Sequence, residues 1–425
     1  MTDSGSIETD SGSIETRSGN VAKSDGRDTM RIAIDLRHFD PASSGQQRYM
    51  WRLGAWLAAN GHDVHFLTVR HRTAHAQAPA GVQLHRVEVR SRAQLRAFLD
   101  ELRPDILMLN PERSRRYRGI PANLLRPAYG TDHYSQKMRS FRHPLTAIAR
   151  HLVRLTPCVQ LERRWERAFY EGRTPPADVI AVSDYMRREI LAGYAIPPGH
   201  VHVVHNGVDL AEFSPSERDR FRGEHRRAWG IPEAAVCLLF IGHNYRLKGL
   251  WELVDAVREV RAGEHGGNLH LLVAGRGTSE GQRRRARQLA ALPDLRGALH
   301  LGGVVSPAMR AYAASDALVH LTWHDSFGFV ALEAMASGLP VITTPFAGAA
   351  ELIQDGVSGL LVDAGDHAAV VRALRRLLDP DLRRSMGLAA AATGAANPEQ
   401  ANFRKVLDVM RIARARGAAI SGPTP

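Results

Sequence analysis

The sequence predicts an α/β protein made of two doubly wound domains, each organised around a parallel sheet. The chain has 425 residues, more than a single hydrophobic core usually supports, so two domains are expected. Apolar strand-like runs alternate with helical segments of about ten residues or more, which is typical of right-handed βαβ units in parallel sheets. The alternation forms two series, separated by the linker-like segment Val204–Pro215. Each series therefore predicts one sheet.

The first 29 residues are expected to be disordered. They contain the seven-residue repeat TDSGSIE at 2–8 and again at 9–15, and they offer almost nothing to bury. The folded chain is expected to begin at Met30 with the apolar strand MRIAIDL. Met30 is also a candidate start codon.

The first domain is expected to span residues 30–203. Its predicted helix, Gln47–Asn60, has helical periodicity and is followed by Gly61, a residue type that commonly ends helices. The predicted strands of this domain are Ile32–Leu36, Val64–Val69, Val82–Val89, Ile106–Leu109 and Val179–Val182.

The second domain is expected to span residues 204–395. Its predicted strands are Cys237–Ile241, Leu269–Ala274, Ala317–Leu321, Val341–Thr343 and Gly359–Val362. Residues 396–416 form a final helical stretch that we expect to return to the first domain. A loose tail at 417–425 is expected to follow it.

Positive charge is concentrated in one part of the chain. The formal net charge is +12, and residues 111–170 hold thirteen Lys or Arg against four Asp or Glu. Such an excess indicates a polyanionic partner, namely nucleic acid, an anionic membrane face or a phosphorylated substrate, with an ordinary solvated surface as the alternative. No aromatic-interleaved basic motif or nucleic-acid-binding module accompanies the charge, which disfavours nucleic acid.

Cysteine content and hydropathy favour a cytoplasmic protein. Cys158 and Cys237 are the two cysteines, too few for a disulfide framework or a cysteine metal site. No apolar run reaches the roughly 18 residues that span a bilayer, and no signal peptide opens the sequence. The histidines show no metal-ligand spacing, and Asp379–Asp381 (DPD) is interpreted as a turn between helices. We therefore expect neither a metal nor another cofactor.

The most informative segment is Ala317–Thr344, ALVHLTWHDSFGFVALEAMASGLPVITT. The pattern indicates an apolar strand, a polar loop and a helix that starts near Phe329 and stops at Gly338. The backbone N–H groups of Gly328, Phe329 and Val330 are then expected at a free helix N-terminus. Such a terminus at the carboxyl end of a strand binds anions, because its N–H groups are unpaired and the helix dipole favours negative charge.

Two carboxylates, Asp325 and Glu333, flank this turn with seven residues between them. Glu333 lies about one helical turn beyond the expected phosphate position, within reach of a ribose diol. Asp325, on the loop, is a candidate for binding hydroxyls of a sugar beyond the phosphates. The alternative is structural, with Glu333 as a helix N-terminal charge and Asp325 as a cap.

The block SFGFVALEAMASGLPV resembles the E-x7-E signature of glycosyltransferase family 4 at nearly every position. The resemblance implies a GT-B fold, with two Rossmann-like domains facing a central cleft, and retention of anomeric configuration. Asp325 stands where Glu is more usual, which bears on the choice of sugar. Weaker similarity extends from Met30 to about Asp379.

A second block, Phe240–Gly249 (FIGHNYRLKG), resembles the family's G-R-x-x-x-x-K-G loop, in which Arg and Lys contact the diphosphate. Lys248 matches the Lys, His243 replaces the Arg, and Arg246 is an alternative guanidinium. The donor site implied by the resemblance comprises Gly242, His243, Lys248, Asp325, Ser326, Phe327, Gly328, Phe329, Val330 and Glu333.

The acceptor is expected in the first domain. Ser44 and Gly45 match the family's Gly-Gly turn, which faces the donor diphosphate. Asp132 and His133 lie where the family often places a residue facing the sugar. The residues 128–137 and 161–172 also look similar to lipopolysaccharide-core glucosyltransferases, in which a basic surface meets the inner membrane leaflet. The candidate catalytic residues are Lys248, Arg246, Asp325 and His133.

The sequence therefore predicts a retaining glycosyltransferase, metal-independent, that moves a sugar from a nucleotide-diphosphate sugar to a glycan or glycolipid acceptor. Cell-surface polysaccharide or lipopolysaccharide biosynthesis is the expected setting. The expected location is the cytoplasm, with residues 111–170 as a candidate contact to the inner membrane face. Two alternatives remain: a catalytically silent subunit of a glycan-assembly complex, and a nucleotide-sugar epimerase.

Overall fold

The computed structural model describes residues 29–36, 38–39, 45–68, 70–71, 78–87, 92–110, 120, 122–127, 152, 155–171 and 177–418. The predicted fold class is confirmed, because these residues form two α/β domains, each built on a fully parallel sheet. The expected disorder of the N-terminal extension falls on residues 1–28, which lie outside the described residues.

The first sheet has seven strands in the order β5-β3-β1-β6-β7-β8-β9. Their bounds are β1 Arg31–Asp35, β3 Asp63–Thr68, β5 Val82–Arg86, β6 Ile106–Leu109, β7 Leu124–Leu125, β8 Asp178–Ala181 and β9 Val201–Val203. A separate short pair joins β2 (His38–Phe39) to β4 (Arg70–His71). The strand β5 ends at Arg86, opposite Thr68, so Val87 was wrongly included in the predicted strand; residues 88 and 89 of that prediction lie outside the described residues.

The second sheet has six strands in the order β12-β11-β10-β13-β14-β15. Their bounds are β10 Val236–Ile241, β11 Leu269–Ala274, β12 Leu299–Gly303, β13 Ala317–His320, β14 Val341–Thr343 and β15 Gly359–Leu361. The central strands β10, β11 and β13 are apolar except for His270 and His320, because helices cover both faces of the sheet.

Most of the helices lie between strands in chain order, as the alternation predicts, and the last three follow the final strand. They are α1 Gly45–Ala59, α2 Arg92–Leu102, α3 Pro157–Tyr170, α4 Asp184–Gly193, α5 Pro215–Ala228, α6 Leu250–Arg261, α7 Glu280–Ala290, α8 Met309–Ala313, α9 Phe329–Ala336, α10 His367–Arg376, α11 Pro380–Ala395 and α12 Glu399–Ala418. Asp379 caps α11 by accepting hydrogen bonds from the N–H groups of Asp381 and Leu382. Only Asp379 of the DPD sequence therefore precedes α11, and Pro380 and Asp381 lie in the first turn of the helix and not in the predicted turn.

Each sheet has a topological switch point. In the first sheet the chain runs outward from β1 through β3 to β5, and then returns to β6 on the other side of β1. The second sheet repeats this pattern, with β10 and β13 as the two neighbours at the reversal. Ligands of open α/β sheets bind in the crevice beyond the carboxyl ends of such strands. The fold thus offers one candidate crevice in each domain.

The C-terminal helix α12 packs on the first domain. Its side chains Phe403, Val406 and Met410 are buried in the same core cluster as Ile32 of β1. The chain crosses between the domains twice side by side, since Val208 N–H donates to the carbonyl of Asn397. The helix continues to Ala418, so the expected loose tail from residue 417 begins too early.

Candidate functional site

The loop after β13 and the start of α9 form the core of the site. Gly328 precedes the helix with φ of 85°, a left-handed conformation that favours glycine. Phe329 then opens the helix at the carboxyl edge of the sheet, beside the β10/β13 switch point. This places the first N–H groups of α9 where the sequence predicts an anion-binding helix end.

Lys248 and Asp325 meet across the switch point. Lys248 lies in the loop after β10 and Asp325 in the loop after β13, and the Lys248 ammonium donates to the Asp325 carboxylate. The Lys248 and Asp325 side chains are 19% and 20% exposed, respectively. The pair is therefore mostly desolvated but still reaches the cleft. Burial opposes ionisation of Asp325, but the adjacent Lys248 brings the pKa of Asp325 below its ordinary value. The carboxylate is therefore charged at neutral pH.

His320, the last residue of β13, lies beneath this pair. Its side chain is 1% exposed, and its Nε2 is 3.7 Å from the Asp325 carboxylate. Burial and the nearby Lys248 lower the pKa of His320 to about 3. The ring is therefore neutral at physiological pH and leaves Lys248 as the cation next to Asp325.

Glu333 occupies the second half of the predicted motif. The Tyr312 hydroxyl, on α8, donates a 2.6 Å hydrogen bond to the Glu333 carboxylate. Tyr312 itself is fully buried and packs edge-on against Phe213. Burial raises the pKa of Glu333 above its ordinary value, and the Tyr312 hydrogen bond offsets part of that rise. One carboxylate oxygen is thus fixed by Tyr312.

The remaining donor-site candidates lie in the loop after β10 and differ in their contacts. Gly242 packs against Lys248, whose Cγ would lie 3.1 Å from a Cβ added at Gly242. His243 is exposed, and its Nδ1 accepts a 3.4 Å hydrogen bond from the Arg276 N–H. Arg246 is partly buried and has a polar interaction of its own. The structure therefore brings Lys248, and neither His243 nor Arg246, into contact with Asp325.

The first domain contacts the site through two segments. Gly45, at the start of α1, faces the Phe329 ring, which lies 3.8 Å from a Cβ built at Gly45. Ser183 caps α4 by accepting from the Met186 N–H, and its hydroxyl donates to the Ser326 carbonyl at 2.8 Å. On the side of the second domain, Phe327 and Val330 are the remaining donor-site candidates of the loop and of the first turn of α9, and Phe327 is buried. The candidate acceptor residues Ser44, Asp132 and His133 lie outside the described residues.

Three residues of the site were missed by sequence reasoning. Tyr312 lies 21 residues before Glu333, so no local pattern joins them. His320 is a lone histidine in an apolar strand, which was the available signal. Glu351 accepts from the N–H groups of Asp184 and Tyr185 and so caps α4 across the cleft.

The described residues contain neither a metal-binding cluster nor a membrane-spanning helix. Among the described residues, no group of three or more His, Cys, Asp or Glu side chains is arranged to hold a metal ion. Within the same residues, no helix has both the length and the apolarity needed to cross a bilayer.

Two family models match the chain and together cover most of it. Residues 43–212 match the model described as Glycosyltransferase Family 4, and residues 235–380 match Glycosyl transferases group 1. A D-inositol 3-phosphate glycosyltransferase from Nocardioides sp. is 35% identical over 256 residues, covering 56% of this chain and 54% of the relative. The one from Pseudarthrobacter chlorophenolicus is 36% identical over 220 residues, covering 51% of each chain. The alignments thus span about half the length of these curated relatives.

Solved structures share the fold at low sequence identity. WaaG, a glycosyltransferase involved in lipopolysaccharide biosynthesis, superposes with a TM-score of 0.71 at 22% identity, covering 89% of this chain and 99% of WaaG. Anabaena HepE in complex with UDP-glucose superposes with a TM-score of 0.64 at 15% identity, covering 90% and 99% of the two chains. The solved structures show the GT-B fold, and the two family models show that the chain belongs to glycosyltransferase family 4.

Proposed function

We propose that this protein transfers a sugar from a nucleotide-diphosphate sugar to a glycan or glycolipid acceptor, with retention of anomeric configuration. The Lys248–Asp325 pair beside the free helix end at Gly328 is the observation that carries the proposal. It places a cation, a set of N–H donors and a sugar-binding carboxylate at one switch point. Glu333, held by Tyr312 one helical turn further, supplies the acceptor for a ribose diol.

The reaction follows from that arrangement. The bond between the sugar C1 and the diphosphate oxygen breaks, and its electron pair stays on the diphosphate. The acceptor oxygen bonds to C1 on the same face, and its proton passes to the departing phosphate oxygen. Lys248 and the α9 N-terminus stabilise the negative charge that develops on the diphosphate, which is the main electrostatic demand of this step. Since these groups supply the positive charge, the proposal includes no metal cofactor.

The acceptor and the setting are proposed by analogy with the relatives. A first-domain acceptor would approach from the side of Gly45, which faces Phe329. The similar proteins are named for transfer to D-inositol 3-phosphate and for lipopolysaccharide biosynthesis. We therefore place this chain in the synthesis of a cell-surface polysaccharide or glycolipid, on the cytoplasmic side of the membrane.

Product analysis tests the proposal against its two alternatives. The purified chain is incubated with each common nucleotide sugar, with and without a lipid-linked or oligosaccharide acceptor pool, and products are followed by NMR. Acceptor-dependent release of nucleoside diphosphate, with a product of the donor's anomeric configuration, is expected. Conversion of donor alone to its epimer would instead identify an epimerase. Nucleotide binding without turnover of any donor would favour the silent subunit, as would no binding at all.

Helix α3 offers a surface for the proposed membrane contact. Leu161 of α3 is 45% exposed, and Leu155, just before the helix, is 61% exposed. The basic residues Arg164 and Arg167 are exposed on the same helix as Leu161. Apolar and basic side chains together are typical of helices that lie at anionic membrane surfaces. Four other basic residues of the segment, Arg113, Arg115, Arg116 and Arg118, lie outside the described residues.

Vesicle binding tests this contact. Replacing Arg164 and Arg167 by Gln is expected to weaken binding to phosphatidylglycerol-containing vesicles about thirtyfold, since each basic residue contributes about 1 kcal/mol at such a surface. The matched control replaces Arg372 and Arg376, which are exposed on α10 of the second domain, and removes the same charge. Equal loss in both variants would show that net charge, and not α3, governs the binding.

A further inference from the structure

A second pocket lies at the switch point of the first domain. It is lined by the carboxyl ends of β1 and β6, by the first turn of α1 and by Arg126, which follows β7. The reversal between β1 and β6 makes this the position where an open sheet binds ligands. The donor site described above occupies the equivalent position in the second domain, so this pocket belongs to a different ligand.

Arg126 is the charged group of this pocket, and it is deeply buried, with 3% of its surface exposed. Its guanidinium lies 4.4 Å from the centre of the Tyr49 ring, and its Nη2 donates a 2.7 Å hydrogen bond to the Asn206 side chain. Both of these partners are neutral. The Nε of Arg126 is buried and makes no hydrogen bond to any residue that the structure describes.

A buried guanidinium usually has a carboxylate partner, because removing a cation from water is costly unless an opposite charge compensates. Within the described ranges, no ion pair joins Arg126 to an acidic side chain. Asp35 lines the same pocket but has a polar interaction of its own. An arginine carries five N–H donors in a planar fork that matches a phosphate or carboxylate. Among the described residues, no carboxylate forms an ion pair with Arg126 on the pocket side.

The position of Arg126 relates the pocket to the donor site. The centre of the Tyr49 ring lies 4.4 Å from the guanidinium and 5.8 Å from the centre of the Phe329 ring. Phe329 is the first residue of α9, whose N-terminus we assign to the donor diphosphate. A ligand held by Arg126 would therefore lie across the cleft from the donor, close to the reacting sugar.

We propose that this pocket binds an anionic group of the acceptor, a phosphate or a carboxylate, through Arg126. The inference rests on the proposed transfer reaction and specifies the chemical class of its acceptor. Asn110 and Gln46, on the same pocket wall, are positioned to contact the hydroxyls that accompany the anion. A neutral polyol then binds less well than the corresponding phosphate.

Inorganic phosphate serves as the probe, measured by thermal shift at constant ionic strength. All variants carry Lys248→Ala, which removes the donor-side cation and so limits phosphate binding there. Adding Arg126→Met is expected to weaken phosphate binding about 10- to 100-fold, as for loss of hydrogen bonds to a charged group. Arg126→Lys keeps the positive charge but not the planar guanidinium, and it should lose less phosphate affinity than Arg126→Met. The control Arg96→Met, at a position 72% exposed on α2, should change nothing.

Nucleoside diphosphate binding, measured with Lys248 intact, separates this inference from the proposed function. Arg126→Met should keep wild-type nucleotide affinity, which also shows that the variant is folded. If no nucleotide binds the wild type, the proposed function fails. The phosphate titration still tests whether the pocket binds an anion through Arg126. Phosphate affinity unchanged by Arg126→Met would overturn the inference. So would inositol binding as tightly as phosphate to the Lys248→Ala protein, a comparison that needs no change at Arg126.

Discussion

Neutralising Asp325 should release Lys248 for the nucleotide. The Lys248 ammonium donates to Asp325, so a diphosphate must compete with that carboxylate. Exposed ion pairs contribute about 0.2–1 kcal/mol, and breaking fully buried ones costs about 3–5 kcal/mol. With side chains that are 19% and 20% exposed, this pair lies between those limits. We take its coupling to be about 2 kcal/mol.

Asp325→Asn is therefore expected to bind nucleoside diphosphate as tightly as wild type, or up to about tenfold more tightly, while losing sugar transfer. Lys248→Met should weaken the same affinity at least tenfold, because it removes the cation itself. Calorimetric titration with the diphosphate measures both effects, and the double variant gives the coupling energy between the two positions.

For stability, chemical denaturation of the same three variants should show that the double change costs about 2 kcal/mol less than the sum of the single changes, because each single change leaves one charge unpaired in a desolvated site. The reasoning is refuted if Asp325→Asn loses diphosphate affinity to the same extent as Lys248→Met. That result would mean that Asp325 holds the nucleotide itself.

Three further perturbations have defined outcomes. Glu333 must be ionised to accept hydrogen bonds from the ribose hydroxyls, and burial raises its pKa above the ordinary 4.5. Nucleotide affinity should therefore fall as the pH drops through that raised pKa. Tyr312→Phe should move this fall to higher pH, because it removes the hydrogen bond that offsets part of the rise, and Glu333→Gln should abolish this component of the pH profile. Gly328→Ala forces a side chain into a left-handed conformation at a cost of about 1–2 kcal/mol, and titration should show weaker diphosphate binding, whereas unchanged affinity would remove Gly328 from the phosphate site. Arg226 is fully buried and pairs with Asp316 at 2.6 Å; Arg226→Met should cost about 3–5 kcal/mol of unfolding free energy, against less than about 1 kcal/mol for the exposed Arg220→Met, and equal costs would contradict this.

The sequence predicts those features that depend on contiguous residues. The strands β6, β11 and β14 are predicted to the residue, because apolar runs buried on both faces need no tertiary information. The strand β7 was missed since Leu124–Leu125 is too short for periodicity, and β12 contains Gly302 and Gly303, which weaken a strand pattern. The helix end at Gly328 was predictable from one contiguous block.

Pairings across the fold were beyond the sequence. Tyr312 reaches Glu333 only because α8 packs beside α9, and no spacing rule encodes that contact. Arg126 is one of thirteen basic residues in its segment, and its separate role becomes visible only through its burial at the β1/β6 crevice. The family motifs assigned Lys248 and Asp325 to the same donor site. That the two side chains form a direct ion pair is a finding of the structure.

The central claim is that the second domain binds the nucleoside diphosphate of a donor sugar through Lys248, Gly328 and Glu333. The most direct test is a titration of wild type and Glu333→Ala with UDP, GDP, ADP and dTDP. The account predicts that one diphosphate binds the wild type and raises its melting temperature by mass action, and that most of this affinity is lost in Glu333→Ala. Binding of no diphosphate to the wild type, or equal binding to both proteins, would contradict the account.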